Sequence, residues 1–573
     1  MDVLELAAEL DEKLGDPRDP TQLFSFKQRV AEDEAEHYPS DALGLLTRFD
    51  LARHYVPNTL GGELRRFDQL AALLRVVARR DLTVAISHAV SFLGSMTVWL
   101  GGDESQKRRL AQAVLSGERV SLALTEQQSG SDLLNMSTIA TAEDGGYDLN
   151  GQKWLGNGLN RNRYAVIYAR TSAPGGPRGY SLFLLDKATN HDGFKPQPKI
   201  ATLGVRGADI SGIELHAFVT PDALIGVEGA GFETTLKALQ LSRTLCGALS
   251  LGALDTGLAT VLRFAQERRV YGKSVAELPQ SQKLLAESWV ELLIADSLTG
   301  VVSRALQAVP MQASVHSAVL KYLVPTLAEQ AMQRLAVVYG ARYYLRDDHE
   351  AGIFQKMLRD NLLISLFDGS TQVNLHSLSH QLRAITVNDA STDMPWWIER
   401  TAPLNDFEWD KLSLSSGGQG ALFSSLSAGI ENLREWLAGS TGNEYSDALI
   451  DALNFLSTAR ETLISDVKQL SPAQLGAGDP LIFELARRYC VLATAAAVLA
   501  DWQLNRAALA NTLGNPAVMA LVLQRMANQL GRSIFMPLQC YQAVFNCLLA
   551  RRDVDGACGL YALPSMQSQT KND

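Results

Sequence analysis

Ser121-Leu122-Ala123-Leu124-Thr125-Glu126-Gln127-Gln128-Ser129-Gly130-Ser131-Asp132 is the stretch around which the chain reads best. Small and apolar residues from Ser121 to Leu124 lead into Thr125 and Glu126, and a polar turn follows. The alternating lead predicts a strand, and Gly130-Ser131-Asp132 predicts a sharp turn at its end. Such a turn exposes backbone N–H groups and short hydroxyls, which suit an anionic or heterocyclic ligand. Turn signals of this kind are also common in ordinary loops, so the segment gains its weight from what surrounds it.

Upstream, residues 1–120 follow a helical pattern. Leu70, Leu73, Leu74 and Val77 recur at i, i+3, i+4, i+7, and Gly101-Gly102-Asp103 reads as one helix end followed by a new start. Downstream, from 121 to 232, the period shortens. Tyr164–Ala169 and Tyr180–Leu185 are short strand-like runs separated by Gly, Pro, Asn and Asp clusters, which predicts a central antiparallel β domain. Long helices return over 233–390, expected as a four-helix bundle. The Ser/Gly-rich stretch 391–420 reads as a linker. A further helical block covers 421–573, with a frayed tail from Ser565 to Asp573. The fold class is therefore mainly α with a central β domain.

A length of 573 residues calls for several cores. A net charge of −10 argues against general nucleic-acid binding. The five cysteines have no CxxC spacing and read as thiols in a reducing compartment. The acidic, amphipathic N-terminus lacks the pattern of a secretory signal, so a cytoplasmic location is expected. The nearly apolar run Cys490–Ala500 falls short of the roughly 20 residues of a membrane span. No G-x-G-x-x-G, Walker loop or H-E-x-x-H motif occurs, and no metal site is expected.

Four segments, in order, carry a resemblance. Thr125, Glu126, Gly130, Ser131 and Asp132 match a T-E-P-x-x-G-S-D signature, with Gln127 at the Pro. Asn150-Gly151-Gln152-Lys153-Trp154-Leu155-Gly156-Asn157-Gly158 is similar to N-G-x-K-x-W-I-T-N-G, one residue short between Lys153 and Trp154. Arg243 is followed 25 residues later by Arg268, which opens Arg268-Arg269-Val270-Tyr271-Gly272-Lys273. Last come Arg359-Asp360 and Asp368-Gly369-Ser370-Thr371-Gln372. On these the chain resembles the acyl-CoA dehydrogenase family over roughly 50–390. The extra C-terminal helices are similar in position to those of its longer members.

The resemblance implies an FAD enzyme that makes a trans-2-enoyl thioester from an acyl thioester on CoA or a carrier protein. It implies Thr125 at the flavin pyrimidine, Ser131 at FAD and near the thioester, Trp154 stacked on the isoalloxazine, and the Gly156 amide at flavin N5. It assigns Arg268 and Tyr271 to the FAD of a neighbouring subunit in a homodimer or tetramer. Gly340 is what remains of a Gly-rich element, and Ser370 and Gln372 follow the base. Asp368 stands where most members carry a catalytic Glu, with Arg243 as the other catalytic residue. A guanidinium fork suits pyrophosphate, and a carboxylate among apolar neighbours suits proton abstraction. Asp is one methylene shorter than Glu, so its reach must be recovered by placement. The electron acceptor is expected to be an electron-transfer flavoprotein or O₂. The alternative readings are a flavin oxidase or monooxygenase on the same fold, as in acyl-CoA oxidases or nitroalkane oxidases, and a binding protein that has lost the chemistry.

Overall fold

Short polar side chains at the ends of apolar runs set the first helical module. The computed structural model describes residues 3–172, 176–189, 193–387, 394–439, 444–471, 474, 479–555 and 558–561. Helices α1 (Val3–Leu14), α2 (Phe26–Glu34), α3 (Ser40–Arg48), α4 (Phe67–Arg80), α5 (Leu82–Gly101) and α6 (Glu104–Leu115) come first. Asp81 caps α5 by accepting from the Thr83 amide at 2.8 Å. Gly102 ends it, and Asp103 with Gln106 forms a capping box for α6. The Gly101–Gly102–Asp103 stretch thus breaks and restarts the helix as its residues predict.

Seven strands follow: β1 (Val120–Ala123), β2 (Ile139–Glu143), β3 (Gly146–Asn157), β4 (Tyr164–Arg170), β5 (Tyr180–Asp186), β6 (Phe194–Pro196) and β7 (Ile210–Val219). They form one sheet in the order β1-β4-β2-β3-β7-β6, with β5 on the other side of β4. The β2–β3, β3–β7, β4–β5 and β6–β7 ladders are antiparallel. The sheet departs from a purely antiparallel one at β4, where β1 and the first residue of β2 pair in parallel. The helical module precedes β1 and delivers it beside β4 without a hairpin, which leaves its direction free. One face packs its own core around Leu149, Ile167, Phe183 and Leu215.

The long helices are α7 (Gly231–Glu267), α8 (Pro279–Ala308) and α9 (Ala313–Tyr339), followed by α10 (Ile353–Asn361), α11 (Thr371–Ser379) and α12 (Leu382–Val387). Gly231 starts α7 against β5, where a Cβ would meet the Ser181 backbone at 2.7 Å. The α5 and α7 helices are long and apolar enough to cross a membrane, yet each is buried as a core helix. The part of the interdomain break at 388–393 and the tail from Ser565 lie outside the described residues.

The C-terminal block holds α13 (Ala421–Ser424), α14 (Leu426–Gly439), α15 (Ser446–Gln469), α16 (Pro480–Leu504), α17 (Pro516–Gln529) and α18 (Leu538–Asp555). Helices α16, α17 and α18 pack on α8, so α8 is buried on nearly every face. Polar ties lock this seam. The indole of fully buried Trp289 donates to the Cys558 carbonyl at 2.6 Å. Glu291, also fully buried, accepts a two-pronged fork from Arg334 at 2.7 Å and a bond from Arg525 Nε at 3.1 Å. Arg525→Met leaves the Arg334 fork in place. It is expected to cost about 1.5–3 kcal/mol, the worth of a hydrogen bond to a charged group, read as a lower unfolding temperature by calorimetry.

Candidate active site

The turn after β1 is braced from within. Glu126 and Ser129 exchange backbone hydrogen bonds at 3.0 and 3.1 Å. The Glu126 carboxylate accepts from the Ser137 amide (2.6 Å) and hydroxyl (2.6 Å), the Thr138 amide (2.9 Å) and hydroxyl (2.6 Å), and Lys153 Nζ (2.8 Å). Burial alone would raise this carboxyl. The Lys153 charge and the two hydroxyls outweigh it and hold the group at about 2. Lys153, fully buried in β3, also donates to the Leu124 carbonyl. The pair therefore fastens the loop bearing Thr125 and Ser131 to the neighbouring strand. Sequence reading matched Glu126 to a motif and gave it no role; the signal was a lysine at a position that proved to be buried in a strand.

One residue farther along, β3 loses register with β7 between Lys153 and Gly156. Leu155 takes a φ of +55°, and a Cβ on Gly156 would meet Leu159 Cδ1 at 2.2 Å. This bulge re-aims the side chains. Leu155, Gly156 and Asn157 line the cavity beyond, and Trp154 does not. The shortened strand spends its irregularity between Lys153 and Gly156, and this places Leu155 rather than Trp154 on the lining of the cavity.

Across the cavity, α7 presents Ser242, Arg243 and Cys246, and the segment between α10 and α11 presents Leu366, Phe367, Asp368 and Gly369. Arg243 is buried, and its Nε donates to the Asp368 carbonyl at 2.7 Å. Gly369 has a φ of +92°, and a Cβ there would stand 2.6 Å from Arg243 Nη2, so glycine is required twice over. Asp368 itself sits at φ +54°, a conformation costly for a residue with a side chain. Burial pushes its carboxyl above the ordinary aspartate range, against the Lys321 charge, the Ser242 hydroxyl and the Arg243 guanidinium. Burial likewise raises the Cys246 thiol to about 12, which keeps it protonated.

Asp360 sets the position of this segment. It is fully buried, accepts from the Val205 amide at 2.6 Å, and pairs with Lys356 at 2.6 Å. Lys356 in turn pairs with the cap residue Asp81 at 2.7 Å. Helices α5 and α10 and the loop after β6 thus meet at one ionic knot.

The cavity measures about 790 Å³. One wall carries Thr125, Ser131 and Gly156, and another carries Arg243 and Asp368. Most of the remainder is apolar, with Leu93, Leu239 and Leu249 among its walls, and Asp132, Asn157, Thr202, Ser242 and Arg359 add polar groups. The Thr125 and Ser131 hydroxyls make no hydrogen bond among the described residues. Two unpartnered hydroxyls on one wall of the cavity fit the polar rim of a flavin. The other sequence candidates lie elsewhere. Arg268 and the 97% exposed Tyr271 sit past the end of α7, outside the cavity. Gly340 caps α9 at the surface with a φ of +67°. Ser370 caps α11 by accepting from the Val373 amide, and Gln372 is exposed. Among the described residues, no group of three or more His, Cys, Asp or Glu side chains is arranged to hold a metal ion.

A helical module, a curled sheet and a long-helix bundle closing on a cavity with a raised carboxyl define an acyl-CoA dehydrogenase fold. The comparisons agree. Residues 121–218 match the family described as "Acyl-CoA dehydrogenase, middle domain", and 229–382 match "Acyl-CoA dehydrogenase, C-terminal domain". The probable acyl-CoA dehydrogenase fadE25 of Mycobacterium leprae is 28% identical over 356 residues, which is 61% of this chain and 89% of that protein. Butyryl-CoA dehydrogenase from Megasphaera elsdenii superposes with a TM-score of 0.59 at 21% identity, covering 65% of this chain and 95% of that one. The prolyl acyl carrier protein oxidase AnaB also gives 0.59, at 19% identity, covering 65% and 96%. The chain belongs to the acyl-CoA dehydrogenase family, a family of oxidoreductases acting on CH–CH bonds, and it carries helices beyond the family's core domains.

Proposed function

We propose that this protein binds FAD and oxidises an acyl thioester to the trans-2-enoyl thioester, with Asp368 as the base. The observation that carries the reading is the Asp368 carboxyl itself. It lines the cavity opposite Thr125, Ser131 and Gly156, and burial favours its taking up a proton. FAD, when bound, supplies the acceptor for the hydride that leaves Cβ. Asp368 takes the proton from Cα, and the electron pair left there forms the new double bond. Arg243 orients the base through its backbone carbonyl, so the shorter aspartate is aimed by the turn rather than by its own length. The apolar walls exclude water, which strengthens the electrostatics of proton transfer. Thr125, Ser131 and the Gly156 amide would hold the flavin ring.

The substrate class is an acyl group on CoA or on a carrier protein, and the electrons pass to an electron-transfer flavoprotein. Direct use of O₂ is the second reading, favoured by the equal structural likeness to a carrier-protein oxidase. Arg268 and Tyr271, outside their own chain's cavity, suit a homodimer in which each copy completes the other's site. The five free cysteines suit a cytoplasmic enzyme. The test is anaerobic flavin absorbance during titration with acyl-CoA and acyl-carrier thioesters. Bleaching by one class supports the reading. A purified protein without flavin absorbance sinks it. The kcat/KM of the active thioester is expected to rise with pH through an acid limb lying above the ordinary aspartate value of about 3.9, because the ionised form is the base.

A further inference from the structure

Beneath the Asp368 turn lies a buried cation with no role so far. Lys321, in the middle of α9, is fully buried. Its ammonium donates to the Ile364 carbonyl and, at 3.2 Å, to the Gly369 carbonyl. It also stands 5.3 Å from the centre of the Phe367 ring. One cation therefore ties down both ends of the segment 364–369 that presents Asp368. Pro325 follows four residues later in α9. It has no N–H for the Lys321 carbonyl, so the helix ladder is interrupted at this residue. Asn374 Nδ2 completes the clamp, donating to the Gly369 and Ser370 carbonyls at 2.9 Å.

Resting on the reading of Asp368 as base, we propose that Lys321 is a positioning residue for it. Its ammonium closes the turn under the cavity and, while charged, favours the ionised carboxylate over the protonated one. The groups that act on Asp368 come from three elements. Helix α7 contributes Ser242 and Arg243, with the Cys246 thiol beside them, α9 contributes Lys321, and the turn contributes the Phe367 ring, which packs against the Lys321 ammonium. Glu329, also on α9, faces Lys321 and the Ser365 hydroxyl. Against burial, Lys321 counts most, ahead of Ser242 and Arg243. Arg243 grips the backbone carbonyl of Asp368 from the other side, so the two cations divide the work of clamping and charging the turn.

The test uses the flavin-loaded protein with Lys321→Gln, which keeps a donor for the carbonyls without the charge, and Lys321→Arg, which keeps both. Two quantities are read: kcat/KM against pH, and the protonation of Asp368 by isotope-edited infrared spectroscopy, with Asp368→Asn as the blank. In Lys321→Gln the acid limb and the carboxyl titration are both expected to move up by about one pH unit, the lower end for loss of a nearby opposite charge. The fall is expected in kcat at neutral pH with KM nearly unchanged, and Lys321→Arg is expected to restore the wild-type limb. A Lys321→Gln protein whose Asp368 titrates as in wild type overturns the assignment. The infrared titration does not depend on turnover. A wild-type protein that leaves the flavin oxidised with every thioester sinks the dehydrogenase reading, while an unshifted carboxyl sinks the role of Lys321.

Discussion

Asp368→Asn is expected to bind acyl thioester and leave the flavin oxidised, with the rate of anaerobic bleaching down by about 10²–10⁴-fold, the usual worth of a positioned base. Asparagine keeps the shape of the side chain and suits a left-handed turn at φ +54° as well as aspartate does. The Arg243 bond goes to the backbone carbonyl of residue 368 and survives the change. The loss would therefore report proton abstraction rather than a collapsed turn. Stopped-flow absorbance on the thioester-bound variant measures it. Bleaching at the wild-type rate would remove Asp368 from the mechanism. Asp368→Glu is a useful companion, because it lengthens the arm by one methylene while the clamp on the turn stays in place.

Lys153→Met is expected to destabilise the protein by about 3–5 kcal/mol, because it strands the Glu126 carboxylate in a buried site without its cation. Methionine fills the volume that the fully buried lysine leaves. The damage is therefore electrostatic and falls on the loop that carries Thr125 and Ser131. A lower unfolding temperature and weaker flavin retention should appear together in the same variant. The pH dependence follows from the same pair. Glu126 is held at about 2 in the folded protein and lies near 4.3 when unfolded. Its contribution is fully present above the unfolded value and is lost as pH falls toward the folded one. Acid unfolding of the wild type should have a component in that window, and Lys153→Met should diminish it. An acid transition identical in the two proteins would separate Glu126 from the stability of the loop.

Much of the site was legible because each of its parts is local in sequence. Thr125, Ser131, Gly156, Arg243 and Asp368 lie in short motifs, and all five line one cavity. The capping pair Asp103 and Gln106 was legible for the same reason, since a cap is decided within four residues. Trp154 and Leu155 were not separable from sequence. Which of them faces inward depends on the register between β3 and β7, strands whose partners lie some 60 residues apart. Lys321 was hidden inside an apolar helix pattern. Nothing local distinguishes a surface lysine from one that donates to carbonyls more than 40 residues away.

From its residues alone the chain declares helices, then a sheet, then helices, and a glycine-bearing turn with a carboxylate at its tip. These follow from periodicity, caps and turn chemistry, all of which act over a few positions. Tertiary structure decided which charges are buried together. Glu126 meets Lys153, Arg243 meets the Asp368 turn, and Glu291 meets Arg334 and Arg525 only once the elements are packed. Burial is a property of the assembled layers, and it is burial that raises the Asp368 carboxyl and makes each ionic partner matter.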